Sequence, residues 1–121
     1  MYQGSCLCGS VKYEINCEPS GVTHCHCTMC QKQHGAMYST YAGVPRSNLE
    51  YFCGPDDLSS YQSSQSAVRK FCRWCGSSLE WASSVDEPDM VYVAISTLDS
   101  EYEPQKIDEI HTDTKAKWHA P

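Results

Sequence analysis

The 121-residue chain has no cluster of basic side chains, no long apolar run and no export-type start, and each absence removes a class of function. Its nine Lys and Arg residues are scattered from Lys12 to Lys117 against fifteen Asp and Glu, giving a net charge of −6 and a pI near 5.2. Neutralising a phosphate backbone needs clustered cations, so no nucleic-acid partner is expected, although a small anion can still meet a local Arg or Lys. The longest apolar stretches, such as Met90 to Ile95, fall far short of the roughly 20 residues that span a bilayer, and no membrane partner is expected. The start, Met1-Tyr-Gln-Gly-Ser-Cys6, lacks the charged and apolar regions of a signal peptide; the expected location is cytoplasmic. With 40% hydrophobic residues, a chain of this length supports one core, and residues 1–121 are read as a single domain.

Cysteine, by contrast, is abundant. Nine in so short a chain would suggest a disulfide framework in a secreted protein. The count is odd, no export signal is seen, and seven of the nine sit in close pairs or a triplet. Cys6 and Cys8, one residue apart, are badly placed to bridge each other, yet both sulfurs can reach one metal ion. In a reducing compartment such spacing reads as metal ligation.

The periodicity is that of short strands. Val11, Tyr13 and Ile15 alternate on one face, as do Val91, Val93 and Ile95, which marks half-buried strands. Two more strands are expected at Ala36 to Tyr41 and Leu49 to Cys53, around a turn at Gly43-Val-Pro45 and before a break at Gly54-Pro-Asp-Asp57. The serine- and glutamine-rich stretch from Ser59 to Ser66 reads as a loop or an exposed edge strand. One short helix is expected, capped by Thr28, running through His34 and stopped by Gly35. It places Cys30 in the first turn, where the helix dipole favours a thiolate. Long helical periodicity is absent, and the class is mainly β.

Zinc takes four ligands when structural, and three protein ligands with one exchangeable position when catalytic. Cys72-x-x-Cys75-Gly76 is a knuckle whose two-residue spacer lets both thiolates face one ion. Cys6-x-Cys8-Gly9 is its natural partner, and Cys6, Cys8, Cys72 and Cys75 together make a four-cysteine structural site. Cys25-x-Cys27-x-x-Cys30 remains, a three-thiolate set with one position open to water or substrate, unless His24, His26, His34, Cys17 or Cys53 closes it. His26, lying between two ligands, should point away from the metal. Cys17 and Cys53 fit neither pattern and are expected to be buried small hydrophobes.

These motifs carry a resemblance. Gly4-x-Cys6-x-Cys8-Gly9-x-Val11-x-Tyr13-Glu14, Cys25-His-Cys27-x-x-Cys30-x-Lys32-x-x-Gly35-Ala36, Arg69-x-Phe71-Cys72-x-x-Cys75-Gly76-Ser77-x-Leu79, and Ile110-His111 with Lys117-Trp118 resemble the glutathione-dependent formaldehyde-activating enzyme family, whose domain also occurs in centromere protein V. The resemblance runs from Gly4 to Trp118. It implies a β-tent of short antiparallel strands with zinc knuckles, two zinc ions per chain, and carbon–sulfur lyase chemistry on a glutathione adduct. It matches Cys6, Cys8, Cys72 and Cys75 to the structural-zinc ligands and Cys25, Cys27 and Cys30 to the catalytic ones. The chain departs from the family at Gln31, commonly Arg there, which removes a fixed positive charge beside the site. It is also short for the family, so loops that hold glutathione are in question.

The chemistry expected is thiol activation. A thiol entering the open position at Cys25, Cys27 and Cys30 loses its proton because the metal favours the thiolate, and a carbonyl partner held beside it reacts as if intramolecularly. Lewis-acid polarisation of the carbonyl is weakened by three thiolates. Lys32, His34 and His111 are candidates for charge or proton transfer or plain surface residues, Trp118 for the site or for packing, and Tyr38 and Tyr41 for the pocket wall or the core. The rival reading is a non-catalytic, zinc-stabilised protein-binding module, with a redox or zinc-storage protein ranked below it. The expected partner is a small thiol such as glutathione, and an exposed β edge is compatible with a homodimer.

Overall fold

A computed structural model describes residues 1–119. The alternating stretches form ten strands: β1 (Tyr2–Ser5), β2 (Lys12–Ile15), β3 (Ser20–Cys25), β4 (Ser39–Pro45), β5 (Leu49–Phe52), β6 (Leu58–Gln62), β7 (Val68–Cys72), β8 (Ser78–Ala82), β9 (Met90–Ala94) and β10 (Asp108–Ile110), with one helix, α1 (Thr28–His34), between β3 and β4. They assemble into a three-stranded sheet ordered β1-β2-β5 and a seven-stranded sheet ordered β10-β3-β4-β9-β8-β7-β6. The mainly β class expected from the sequence is what forms. The expected antiparallel strands form, and β10 adds one parallel pairing, with β3, at the edge of the large sheet. No helix is long and apolar enough to cross a membrane.

The core lies between the sheets. Tyr13 and Ile15 of β2 meet Val44 of β4, Leu79 of β8, and Val91 and Val93 of β9, all essentially excluded from water. Each such side chain contributes about 1.5–3 kcal/mol through burial. The large sheet also uses its other face: Tyr41, Trp81, Tyr92 and Ala94 pack there with Cys25, Cys27 and Cys30. Period-two alternation therefore divides one set of strands between the core and a second surface.

Two expectations shift. The turn foreseen at Gly43 is instead the middle of β4, paired directly with Tyr92, and the chain turns at the 3-10 segment Arg46–Asn48. Glycine is needed at 43 for close approach: an added Cβ would stand 3.1 Å from the Tyr92 ring and 3.4 Å from the Ser20 carbonyl. Along β9, alternation stops at Ala94, and Ile95 opens a 3-10 turn. The Ser-rich stretch begins as an edge strand, β6.

A bulge in β8 buries a charge. Lys70 pairs with Glu80 but Phe71 pairs with Ser78, so Leu79 is the extra residue and both Leu79 and Glu80 turn inward. Arg46 donates to both Glu80 carboxylate oxygens, at 2.9 and 2.6 Å, and the Tyr51 hydroxyl donates to one at 2.8 Å. Burial, with the neighbouring Glu80 charge, pushes the Tyr51 phenol up. These contacts tie β8 to β5 of the small sheet. Glu80→Ala strands the Tyr51 hydroxyl and leaves Arg46 unpaired, and is expected to cost about 3 kcal/mol, read as a lowered urea midpoint. Combined with Arg46→Ala, the loss should be smaller than the sum of the two single losses; a Glu80→Ala cost below about 1 kcal/mol would show the pair to be dispensable.

Candidate metal centres and cavity

The seven clustered cysteines meet in two groups. In each, every Sγ lies within 4.8 Å of the others. Cys6 and Cys8 come from the loop between β1 and β2, and Cys72 and Cys75 from the β7–β8 turn. Cys8 Sγ stands 3.7 Å from both Cys6 Sγ and Cys72 Sγ, which matches the separation of about 3.8 Å that tetrahedral coordination at zinc–sulfur bond lengths demands. Gly9 and Gly76, at φ of 83° and 79°, let each loop fold back behind its cysteines. Backbone amides support the sulfurs: Val11 N–H donates to Cys6 Sγ at 3.3 Å, and Trp74 and Cys75 N–H to Cys72 Sγ at 3.4 Å. Soft donors so arranged fit a thiophilic metal ion.

The second group sits where β3 passes into α1. Cys25 ends β3, and Cys27 rather than Thr28 caps the helix, its Sγ accepting from Cys30 N–H at 3.3 Å. The cap is displaced by one residue because the Cys27 sulfur itself serves as the oxygen of a usual cap would. Gly35 stops the helix in the left-handed conformation, as expected. Cys30 is buried, and its thiol is pulled down to about 4 by the Cys25 thiol foremost and, among the rest, by the Arg69 guanidinium. The same contact, together with burial, drives Cys25 the other way.

Arg69 was part of a motif with no role assigned to it. On β7, opposite Trp81, it is 2% exposed. Both Nη1 and Nη2 lie 3.6 Å from Cys30 Sγ, and Nε donates to Ser63 Oγ at 3.0 Å. It brings a positive charge that the sequence suggested Gln31 had removed. Its place in the motif Arg69-x-Phe71-Cys72, three residues before the knuckle, was a signal by resemblance and not by local chemistry. Gln31 instead donates to the carbonyls of His26 and Thr114, at 2.8 and 2.9 Å, fastening the tail to the helix.

Among the described residues, none of the five candidates for a fourth ligand joins this group. His24 is paired with Thr40 and His34 with Tyr41, both at 2.8 Å. His26 turns away, as expected: it is fully buried, with Nε2 2.6 Å from Glu109. Cys17 packs against the main core only in part, and Cys53 is exposed rather than buried, because it follows the last paired residue of β5 and enters the Gly54 turn. In place of a fourth protein ligand there is a cavity of 450 Å³, on whose wall Cys25, Cys27 and Cys30 lie with Tyr41, Arg69, Trp81, Tyr92 and His111. Tyr41 is thus both core and wall. His111 holds a left-handed backbone, φ 55°, uncommon for a residue with a side chain. Lys32 and Trp118 are exposed, and Tyr38 stacks on His24 away from this cavity, 4.1 Å between ring centres. Burial holds the His34 imidazole below its ordinary value, so it is neutral toward Tyr41.

Known proteins resemble this chain in sequence and in fold. The family model described as glutathione-dependent formaldehyde-activating enzyme matches residues 1–114. Proteins of Aspergillus flavus and Podospora anserina named "Putative glutathione-dependent formaldehyde-activating enzyme" are 30% and 32% identical over alignments of 107 residues that cover 83% of this chain but 56% and 50% of theirs. An uncharacterized lyase of Schizosaccharomyces pombe is 26% identical over 81 residues, 67% of this chain and 57% of that one. The chain thus spans about half the length of these curated relatives. A crystal structure of a Rhodobacter sphaeroides protein shares the fold, with a TM-score of 0.70 at 24% identity over 88% of this chain and 98% of that one. The chain belongs to the glutathione-dependent formaldehyde-activating enzyme family.

Proposed function

We propose that the chain is a zinc-dependent carbon–sulfur lyase-like enzyme acting on the adduct of a thiol and a carbonyl compound, of the S-hydroxymethylglutathione type, as a single zinc-binding domain in a reducing, cytoplasmic setting. The observation that carries this reading is the difference between the two thiol groups. One is a complete set of four sulfurs, two of which, on Cys6 and Cys75, border a cavity of 890 Å³. The other presents three sulfurs, with no fourth protein ligand among the described residues, to a cavity of 450 Å³. In this reading Cys6, Cys8, Cys72 and Cys75 hold a structural zinc, and Cys25, Cys27 and Cys30 a catalytic one. A zinc ion bound by three thiolates supplies a position where a substrate sulfur is stabilised as its thiolate.

The chain's own residues do the rest. Arg69 keeps Cys30 in the thiolate form that ligation requires. Trp81 and Tyr92 wall the cavity and hold the carbonyl partner beside the sulfur. In the lyase direction the C–S bond breaks with its electron pair on sulfur. The hydroxyl oxygen re-forms the C=O bond and gives up its proton, and His111, on the cavity wall, accepts it. In the addition direction each transfer reverses.

Zinc content should be two per chain. Cys27→Ser is expected to leave one zinc and a native circular-dichroism spectrum while thiol-dependent turnover of formaldehyde falls by about 100-fold or more. Cys72→Ser, which opens the four-cysteine group, should unfold the protein. Full zinc loading without turnover on any thiol would instead favour the protein-binding module. Arg69→Met should weaken zinc at the three-cysteine centre by about 10–100-fold in chelator competition, with the four-cysteine centre unchanged; equal affinity for both proteins would remove Arg69 from the centre.

A further inference from the structure

The cavity at the three cysteines is far larger than formaldehyde needs. Formaldehyde is little bigger than a water molecule, whose share of liquid volume is about 30 Å³. The cavity measures 450 Å³, a size that suits ligands with a body beyond the reacting atoms. Its lining is of two kinds. Ser20 and Thr23 of β3, Ser64 and Ser66 of the β6–β7 loop, and His111 after β10 bring hydroxyls and an imidazole. Tyr41 and Gly43 of β4, Trp81 of β8, and Met90 and Tyr92 of β9 bring an apolar floor from the middle of the sheet. The Tyr41 hydroxyl is engaged with His34 at 2.8 Å and that of Tyr92 with Glu87 at 2.6 Å, so both offer chiefly ring surface.

Strand register sets how far this floor extends. Cys25 pairs with Ser39. Further along β4, Gly43 pairs with Tyr92, which in turn pairs with Trp81. The strand from Ser39 to Gly43 puts that row about 13 Å beyond the cysteine. Over Gly43 the Tyr92 ring and the Met90 Cε both close in, 3.1 and 3.3 Å from where a Cβ would stand. A polar thiol body such as glutathione's keeps its hydrogen bonds against the hydroxyls and His111 and would lose them on the floor. The floor therefore matches the other half of the adduct.

We propose that the carbonyl half of the substrate extends beyond formaldehyde to aldehydes bearing an apolar alkyl or aryl group, which lies along Tyr41, Trp81, Met90 and Tyr92 while glutathione takes the polar side. Formaldehyde is the smallest member of this class and remains a substrate. The bonds made and broken are unchanged. Sulfur bonds to the aldehyde carbon, the C=O π pair moves onto oxygen, and that oxygen gains a proton in exchange for the one the thiol loses. The proposal rests on the function proposed above.

The test uses the zinc-loaded protein with glutathione and a series of aldehydes: formaldehyde, acetaldehyde, butanal and hexanal. Each kcat/KM is divided by the rate of the uncatalysed reaction, which removes intrinsic differences in reactivity. From acetaldehyde to hexanal this ratio should rise by about threefold per methylene. In calorimetry, 1-hexanol, an analogue that cannot add a thiol, should bind at least about tenfold more tightly than 1-propanol, and it should compete with the aldehyde rather than with glutathione. Met90→Asn, at the far end of the floor, should remove most of both gains. A ratio that stays flat from acetaldehyde to hexanal overturns the proposal, while turnover of formaldehyde with glutathione leaves the proposed function standing. Competition of hexanol with glutathione alone gives the floor to the thiol and likewise overturns it. If glutathione turns over with no aldehyde at all, formaldehyde included, the proposed function falls and this inference with it.

Discussion

The constraint on which the rest of the structure depends is the meeting of four sulfurs from loops 64 residues apart, Cys8 and Cys72 being 3.7 Å from one another. The first loop joins β1 to β2 in the small sheet, and the second joins β7 to β8 in the large one. Bringing them to one point fixes how the sheets lean on each other. Four thiolates at such separations would repel strongly unless a cation lay among them, so an ion bound there would make metal binding and sheet packing one event. The Glu80 contacts to Arg46 and Tyr51 provide a second tie between the same sheets, made of hydrogen bonds rather than thiols. Between the two ties lies the apolar layer of Tyr13, Ile15, Val44, Leu79, Val91 and Val93.

Once that layer is fixed, the opposite face of the large sheet is fixed too. Val91 and Val93 enter the core, and Tyr92 and Ala94, the residues beside them in the chain, therefore emerge under the three-cysteine group. Gly43 lets the Tyr92 ring lie close over β4. Arg69 reaches Cys30 from β7, well along the same sheet, because the paired strands hold it opposite Trp81. The strand-borne part of the cavity wall is thus a consequence of core packing, while Ser63, Ser64, Ser66 and Ala67 of the β6–β7 loop, Glu87 and His111 complete it from outside the strands.

Both cysteine groups could be read from the sequence because spacing is a local property: one- and two-residue spacers decide which sulfurs can converge, whatever the surrounding fold. Helix α1 was equally legible from Gly35 backward. Its N-terminal boundary slipped because a cysteine served as cap, a role normally left to oxygen-bearing side chains. What could not be read were contacts between distant segments. Nothing local distinguishes the buried Arg69 from the exposed Arg73, which lies over the Trp74 ring. Nothing local reveals that a bulge sends Glu80 inward to Arg46, or that Ile110 extends the large sheet in parallel beside Cys25. Gly43-Val-Pro45 carried a turn signature, and the strand formed there because pairing with β9 along its whole length outweighed local preference.

The two centres differ most in how their charge is balanced. A dication with four thiolates would carry a formal charge of −2, and the sulfurs of Cys6, Cys8, Cys72 and Cys75 have backbone amides and hydroxyls within reach, with solvent at the exposed Cys8, to spread it. A dication with three thiolates carries −1, and the buried guanidinium of Arg69 cancels it. A dication held by the three cysteines would therefore be neutral overall before any ligand arrives, beside a largely apolar wall where uncompensated charge is expensive. Under the proposed function, a thiolate ligand would take it only to −1, one unit less than a dication among the four cysteines would carry. Remove Arg69, and the same step would build −2 against an apolar wall. Under the proposed function, three cysteines would leave a position open, and the arginine behind one of them would fit that position to receive an anionic sulfur.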